Sequence, residues 1–171
     1  VEMDAFEALI PGLFQGYQNL DAMTVPSTPL KYRNRESGYR PSREEDPLNA
    51  ILRRCSVKGA SSGKMAGKKF GLKNNVNVAG TPMTFGSLVL DGYVAESDAT
   101  IVTWLLDAGA ELVANLNMEN FAFSGRGDTS AFGAVLNPHS PDHLAGGSSS
   151  GSAASLYYDD IDVTIGGDQG G

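Results

Sequence analysis

Apolar positions come in short runs separated by glycine, proline and serine. Over residues 2–10, Met3, Phe6, Leu9 and Ile10 recur at helical spacing, and Pro11-Gly12 is expected to stop that helix. A second short helix is expected over 13–22. Residues 24–47 are rich in Pro, Arg and Ser and read as an extended connector. Asp46-Pro47 has the form of an N-cap followed by a proline at the first helical position, which predicts a helix over 47–55. Gly59, Gly63 and Gly67 mark residues 56–67 as a loop. A boundary near residue 60 follows, with a helical N-terminal segment and basic connector over 1–60 and a second unit over 61–171.

From residue 69 the pattern changes. Lys69 to Lys73 reads as a strand. Asp98 is a candidate N-cap for a helix ending near Ala108, with Ile101, Val102, Leu105 and Leu106 on one face and Gly109 closing it. Glu111 to Leu116 reads as the next strand, and 117–147 as mostly loop with a short turn at 119–123. Ser152 to Tyr158 reads as a helix and Ile161 to Ile165 as a strand. Strands alternating with helices predict an α/β fold. Its sheet would be mixed but mostly parallel, flanked by helices and preceded by the helical N-terminal segment. Three strands are a thin sheet for two covered faces, so the sheet is expected to be incomplete in this chain.

Charge divides the chain further. Of its 171 residues, 31–73 hold twelve of the thirteen Lys and Arg against four acids, a net +8. Residues 74–171 hold twelve acids against Arg126 alone, a net −11. The basics are spread out with few aromatics among them, and the rest of the chain repels phosphate. They are therefore expected to face acids of the same fold, not nucleic acid. No apolar run approaches the ~20 residues of a membrane span, so no membrane partner is expected. A single cysteine, Cys55, excludes an internal disulfide and fits the cytoplasm, where it reads as a buried apolar residue.

Three stretches can carry chemistry. Gly146-Gly147-Ser148-Ser149-Ser150-Gly151-Ser152 feeds an apolar helix and offers backbone N–H groups and hydroxyls to an anion or oxyanion. Gly166-Gly167-Asp168-Gln169-Gly170-Gly171 follows a strand, where α/β sheets form sites. Lys73 ends an apolar strand; held beside hydroxyls and away from water it would act as a base. His139 and His143 are four apart, but Pro138 and Pro141 keep them off a helix, so no metal site is expected. Arg126-Gly127-Asp128 spells an adhesion tripeptide and is read as accidental.

Together these stretches resemble the amidase signature family. Residues 67–75 look like its lysine strand. The loop from Asn117 to Gly133, with Phe121-Ala122-Phe123-Ser124-Gly125 and Ser130-Ala131-Phe132-Gly133, looks like its substrate-side loop. Asn137-Pro138 then leads to the Gly/Ser segment, and 166–171 looks like the final motif. The pair Asp168-Gln169 and the extra N-terminal segment look closest to bacterial amidases of nitrile metabolism.

The resemblance implies hydrolysis of a small amide substrate through an acyl-enzyme, without a cofactor. It implies Lys73 as general base and Ser148, after a cis peptide, as bridging proton relay. Backbone N–H groups of Gln169, Gly170 and Gly171 would form the oxyanion hole, Ser149 and Asp168 would support it, and Phe123 would border the acyl pocket. The family motif continues with a nucleophilic serine, one position past Gly171. This chain alone is therefore expected to be inactive, with the remainder of the chain or a second fragment as its partner and a homodimer possible through the N-terminal helices. Asn74 and Ser150 depart from the family's usual Asp and Gly. An A-type component of glutamyl-tRNA amidotransferase, or a degenerate fragment acting as a binding piece, are the alternatives.

Overall fold

A computed structural model describes residues 2–24 and 29–169. Its chain order is α1 (Glu2–Asp21), β1 (Arg35–Tyr39), β2 (Ile51–Lys58), β3 (Lys69–Lys73), α2 (Thr100–Asp107), β4 (Glu111–Leu116), β5 (Leu136–Asn137), β6 (Ser140–Leu144), α3 (Ser150–Ala154) and β7 (Val163–Ile165), with single 3-10 turns at Asn120–Ala122 and Ser155–Tyr157. Five strands form one sheet in the order β1-β2-β4-β3-β7, and β5 pairs with β6 as a separate hairpin. The strands β4, β3 and β7 are parallel, while β1 and β2 run antiparallel on the β4 side.

The α/β class and the mixed sheet are those expected, but the sheet is not mostly parallel: two of its four strand pairings are antiparallel. The antiparallel half is made by residues read above as connector and helix. The reason is visible at Asp46. Its carboxylate does cap backbone N–H groups, those of Ala50 (2.9 Å) and Ile51 (2.8 Å). But Asn49 takes a left-handed φ of 56°, so the chain leaves the turn extended and becomes β2 instead of a helix. The Tyr158 hydroxyl donates to the same carboxylate at 2.6 Å. Asp46→Ala is expected to cost about 3 kcal/mol, since it strands two buried donors, and a urea midpoint measured on the variant checks this.

Two other caps differ from expectation. Pro11 lies inside α1, which runs unbroken from Glu2 to Asp21. A proline removes one helical hydrogen bond but does not forbid the turns that follow it. Asp98 does not cap α2, whose N-cap is Ala99. Asp98 instead holds Arg35 of β1 through two contacts of 2.8 and 2.5 Å and accepts the Ala79 N–H at 2.9 Å. Both side chains of that pair are buried, so β1 is fastened across the fold to the start of α2.

Lys31, Arg54 and Lys68 also pair with Asp107, Asp160 and Asp162, so with Arg35 four of the twelve bases in the basic block meet acids of the acidic one among the described residues. Two apolar clusters hold the sheet. One packs Val102 and Leu106 of α2 on Phe70, Leu72 and Leu112. The other packs Ala154 of α3 on Ile51, Ala114 and Leu116. Cys55 is buried, and burial pushes its thiol up to about 12. Among the described residues, no helix is long and apolar enough to cross a membrane.

Candidate active site

Three parallel strands end side by side, with β3 in the middle. The chain leaves β3 at Lys73, β4 toward Asn117 and Glu119, and β7 toward Gly166 and Gly167. Sites form at such carboxyl ends because the loops diverge there and backbone groups lose their strand partners. The Gly/Ser segment before α3 crosses the same edge.

Lys73 is fully buried. Its Nζ donates to Ser148 Oγ at 2.7 Å and to the Gly167 carbonyl at 2.6 Å. Burial lowers the amine below its ordinary 10.5, and the charges of Asp168 and Glu119 oppose that only in part. A neutral amine keeps two N–H donors and gains a lone pair. It can go on holding Gly167 while taking a proton from the Ser148 hydroxyl.

Ser148 follows a cis Gly147–Ser148 peptide bond. The next residue ties two elements together: Ser149 Oγ donates to the Gly167 carbonyl (3.0 Å) and accepts the Gly167 N–H (3.1 Å). Ser152 and Thr164 add two further bonds between α3 and β7. Gly151 presses against the sheet, its N–H donating to Asn117 O at 3.0 Å. A Cβ there would lie 2.4 Å from the Ala50 oxygen and 2.5 Å from both Asn117 N and O. The lack of a side chain at 151 is what lets the segment sit low enough for Ser148 to meet Lys73.

A cavity of about 730 Å³ opens over this edge, lined by Ser148, Ser149, Asp168, Gln169 and Phe123 among others. Asp168 and Gln169 are exposed at its mouth, and Phe123 is 93% exposed on its rim. Gly170 and Gly171 lie outside the described residues. His143 Nδ1 is 2.7 Å from Ser140 Oγ, and the described residues gather no group of three His, Cys, Asp or Glu fit for a metal. Arg126 and Asp128 of the tripeptide pair with each other at 2.7 Å.

The two departures from the family pattern take different forms. The Asn74 side chain accepts the Thr84 N–H and hydroxyl, both at 2.7 Å, and donates to the Pro82 carbonyl at 3.2 Å. It therefore fastens the 82–84 turn, and an aspartate could not make the donating bond. Ser150 is buried with no hydrogen-bond partner for its hydroxyl; nothing in the fold explains it.

Sequence reasoning missed Glu119. It is fully buried, its Oε2 accepts the Thr129 hydroxyl, and its N–H donates to the Ser148 carbonyl at 3.1 Å. An acid in a stretch otherwise made of amides and apolar residues, Asn117-Met118-Glu119-Asn120-Phe121, was the available signal.

Known proteins share this arrangement of sequence and fold. A family model described as Amidase matches residues 47–171. The A-type component of glutamyl-tRNA(Gln) amidotransferase in Haloarcula marismortui is 43% identical over 116 residues, which are 68% of this chain and 27% of that protein. An enantioselective amidase of Rhodococcus rhodochrous is 41% identical over 133 residues, 77% of this chain and 26% of that protein. Among solved structures, the A-type component of glutamyl-tRNA(Gln) amidotransferase from Thermotoga maritima aligns with a TM-score of 0.65 at 29% identity, over 71% of this chain and 27% of that one. The chain thus spans about a quarter of the length of these relatives.

Proposed function

The chain belongs to the amidase family, and we propose that the protein carrying it is a serine hydrolase that cleaves small carboxylic amides to the acid and ammonia. The observation that carries this reading is the buried Lys73 amine 2.7 Å from Ser148 Oγ. Outside a catalytic site, a buried lysine without a carboxylate in direct contact is a costly element of a core.

In this mechanism Lys73 is the base, and Ser148 passes to it the proton of an attacking serine hydroxyl. In the family motif that serine follows the position of Gly171. The hydroxyl oxygen attacks the amide carbon, and the carbonyl electron pair moves onto oxygen. Backbone N–H groups at Gln169, Gly170 and Gly171 receive the negative charge, each worth about 3 kcal/mol in the transition state. The proton held on Lys73 returns through Ser148 to the nitrogen, and ammonia leaves. Water then attacks the acyl-enzyme by the same relay and releases the acid. Ser149 and Asp168 keep the Gly167 corner in place, and Phe123 borders the acyl group.

A Ser148→Ala variant of the full-length protein tests the relay. It is expected to lose about 10²–10⁴-fold in kcat/KM, measured by ammonia release from a panel of carboxamides. Wild-type turnover in that variant would refute it. The 43% identity to an amidotransferase component favours a second reading, in which the same pair releases ammonia from glutamine for a partner protein. Turnover of glutamine in preference to the other carboxamides, dependent on added partner proteins, would select it.

A further inference from the structure

Glu119 is a buried acid whose contacts exceed what holding a loop requires. Its Oε2 accepts the Thr129 hydroxyl and, at 3.4 Å, the Thr129 N–H, which anchors the loop between residues 119 and 129. Oε1 is equally buried and has no hydrogen-bond partner among the described residues. Leaving a buried carboxyl oxygen in that state is expensive, and an apolar side chain would serve packing better.

The position of the carboxylate explains its retention. A Cβ built on Gly147 would lie 2.7 Å from Glu119 Cγ and 3.1 Å from Oε1, so the side chain lies flat against that glycine. The Glu119 N–H meanwhile holds the Ser148 carbonyl at 3.1 Å. Side chain and backbone of one residue therefore grip both halves of the Gly147–Ser148 peptide. The Ser148 hydroxyl in turn accepts from Lys73 Nζ at 2.7 Å.

The charged groups that act on Lys73 are Asp168, from the segment after β7, and Glu119, from the segment after β4; Ser148 and the Gly167 carbonyl contact it as neutral groups. Asp128, next to Thr129, is paired with Arg126. Both acids favour the charged amine, Asp168 more than Glu119; Asp168 is exposed at the mouth of the cavity, whereas Glu119 is buried behind the Gly147–Ser148 peptide.

We propose that Glu119 is the positioning residue of the Lys73–Ser148 pair, fixing the Gly147–Ser148 peptide so that Ser148 meets the amine, with its carboxylate acting on that amine from behind the peptide. This rests on the reading of Lys73 as the base. Burial lowers the pKa of the amine, and the Glu119 carboxylate opposes that lowering. The buried carboxylate restores part of that basicity and is the counter-charge for the lysinium formed when the relay runs. One proton moves from the attacking hydroxyl to Ser148 as another moves from Ser148 to Lys73.

The test follows the Lys73 amine by NMR titration of ¹³C-lysine-labelled full-length protein, assigned by loss of the signal in Lys73→Arg. In Glu119→Gln the amine is expected to titrate about half a pH unit or more below wild type, because a charge that favours the lysinium is gone. Glu119→Asp keeps the charge but withdraws it by one methylene, so its amine is expected to fall between the two. An amine that titrates as in wild type in both variants overturns the proposal and leaves Glu119 a loop anchor. Should Glu119→Gln not fold, Glu119→Asp decides alone, a lowered amine supporting the proposal and an unmoved one overturning it. A wild-type amine at or above 10.5 is a separate outcome and would instead overturn the reading of Lys73 as base.

Discussion

Replacing Lys73 with alanine is expected to lower kcat/KM of the full-length protein about 10³-fold or more, equivalent to about 4 kcal/mol of transition-state stabilisation. Lys73→Arg is expected to fail as badly. A guanidinium keeps its proton throughout the working pH range and cannot accept the one from Ser148. The pH dependence follows from the same residue. The free amine is the active form, and burial holds its pKa below 10.5. Activity should therefore rise with pH and level off above that lowered pKa, and the rising limb should vanish from any residual activity of Lys73→Ala.

Stability should move the other way. Lys73 is fully buried, and its Nζ hydrogen-bond partners are a serine hydroxyl and a backbone carbonyl. Lys73→Met, similar in length and apolar, is expected to leave the urea midpoint unchanged or raise it. Loss of activity with stability kept would identify Lys73 as retained for chemistry. A destabilised Lys73→Met would assign it to the core.

A loss of stability as large as that of Asp46→Ala is expected at Gly151. An alanine there would place its Cβ within 2.5 Å of three backbone atoms, the oxygens of Ala50 and Asn117 and the Asn117 nitrogen. None is the free end of a side chain, so β2, β4 or α3 must shift. The Asn117 N–H also donates to Ala50 O at 2.8 Å, so the clash falls on a hydrogen-bonded junction. Gly151→Ala is expected to cost about 3 kcal/mol and to separate Ser148 from Lys73. Gly16 in α1 is the control. Nothing lies within 4 Å of a Cβ built there. Gly16→Ala should be neutral or strengthen the helix by up to about 1 kcal/mol. Chemical denaturation of the two variants, side by side, separates steric conflict from helix propensity.

Much of the site was legible in the sequence because its parts lie at element ends with strong local signals. Lys69 to Lys73 and Glu111 to Leu116 are short apolar runs bounded by breakers, and both are strands where expected. The apolar residues that follow the Gly/Ser segment marked it as the lead into a helix, which is α3. The antiparallel half of the sheet was not legible. Asp46-Pro47 carries the signature of a helix start, and only the left-handed turn at Asn49 and the Tyr158 hydroxyl, distant in sequence, make it the entry to β2. Asp98 misled for a related reason. Its carboxylate is taken by Arg35, 63 positions away, and a single sequence does not show that pairing. Glu119 escaped because its significance lies in what Gly147 lacks, a side chain that would occupy its place.

The account stands on a relay that makes a serine hydroxyl nucleophilic. The most direct measurement is the rate at which a fluorophosphonate labels the full-length protein, followed by intact mass. Labelling of the wild-type protein at a serine is expected, slowed at least 10²-fold in both Lys73→Ala and Ser148→Ala. Labelling equally fast in wild type and Lys73→Ala, or none in a well-folded wild type, would contradict it.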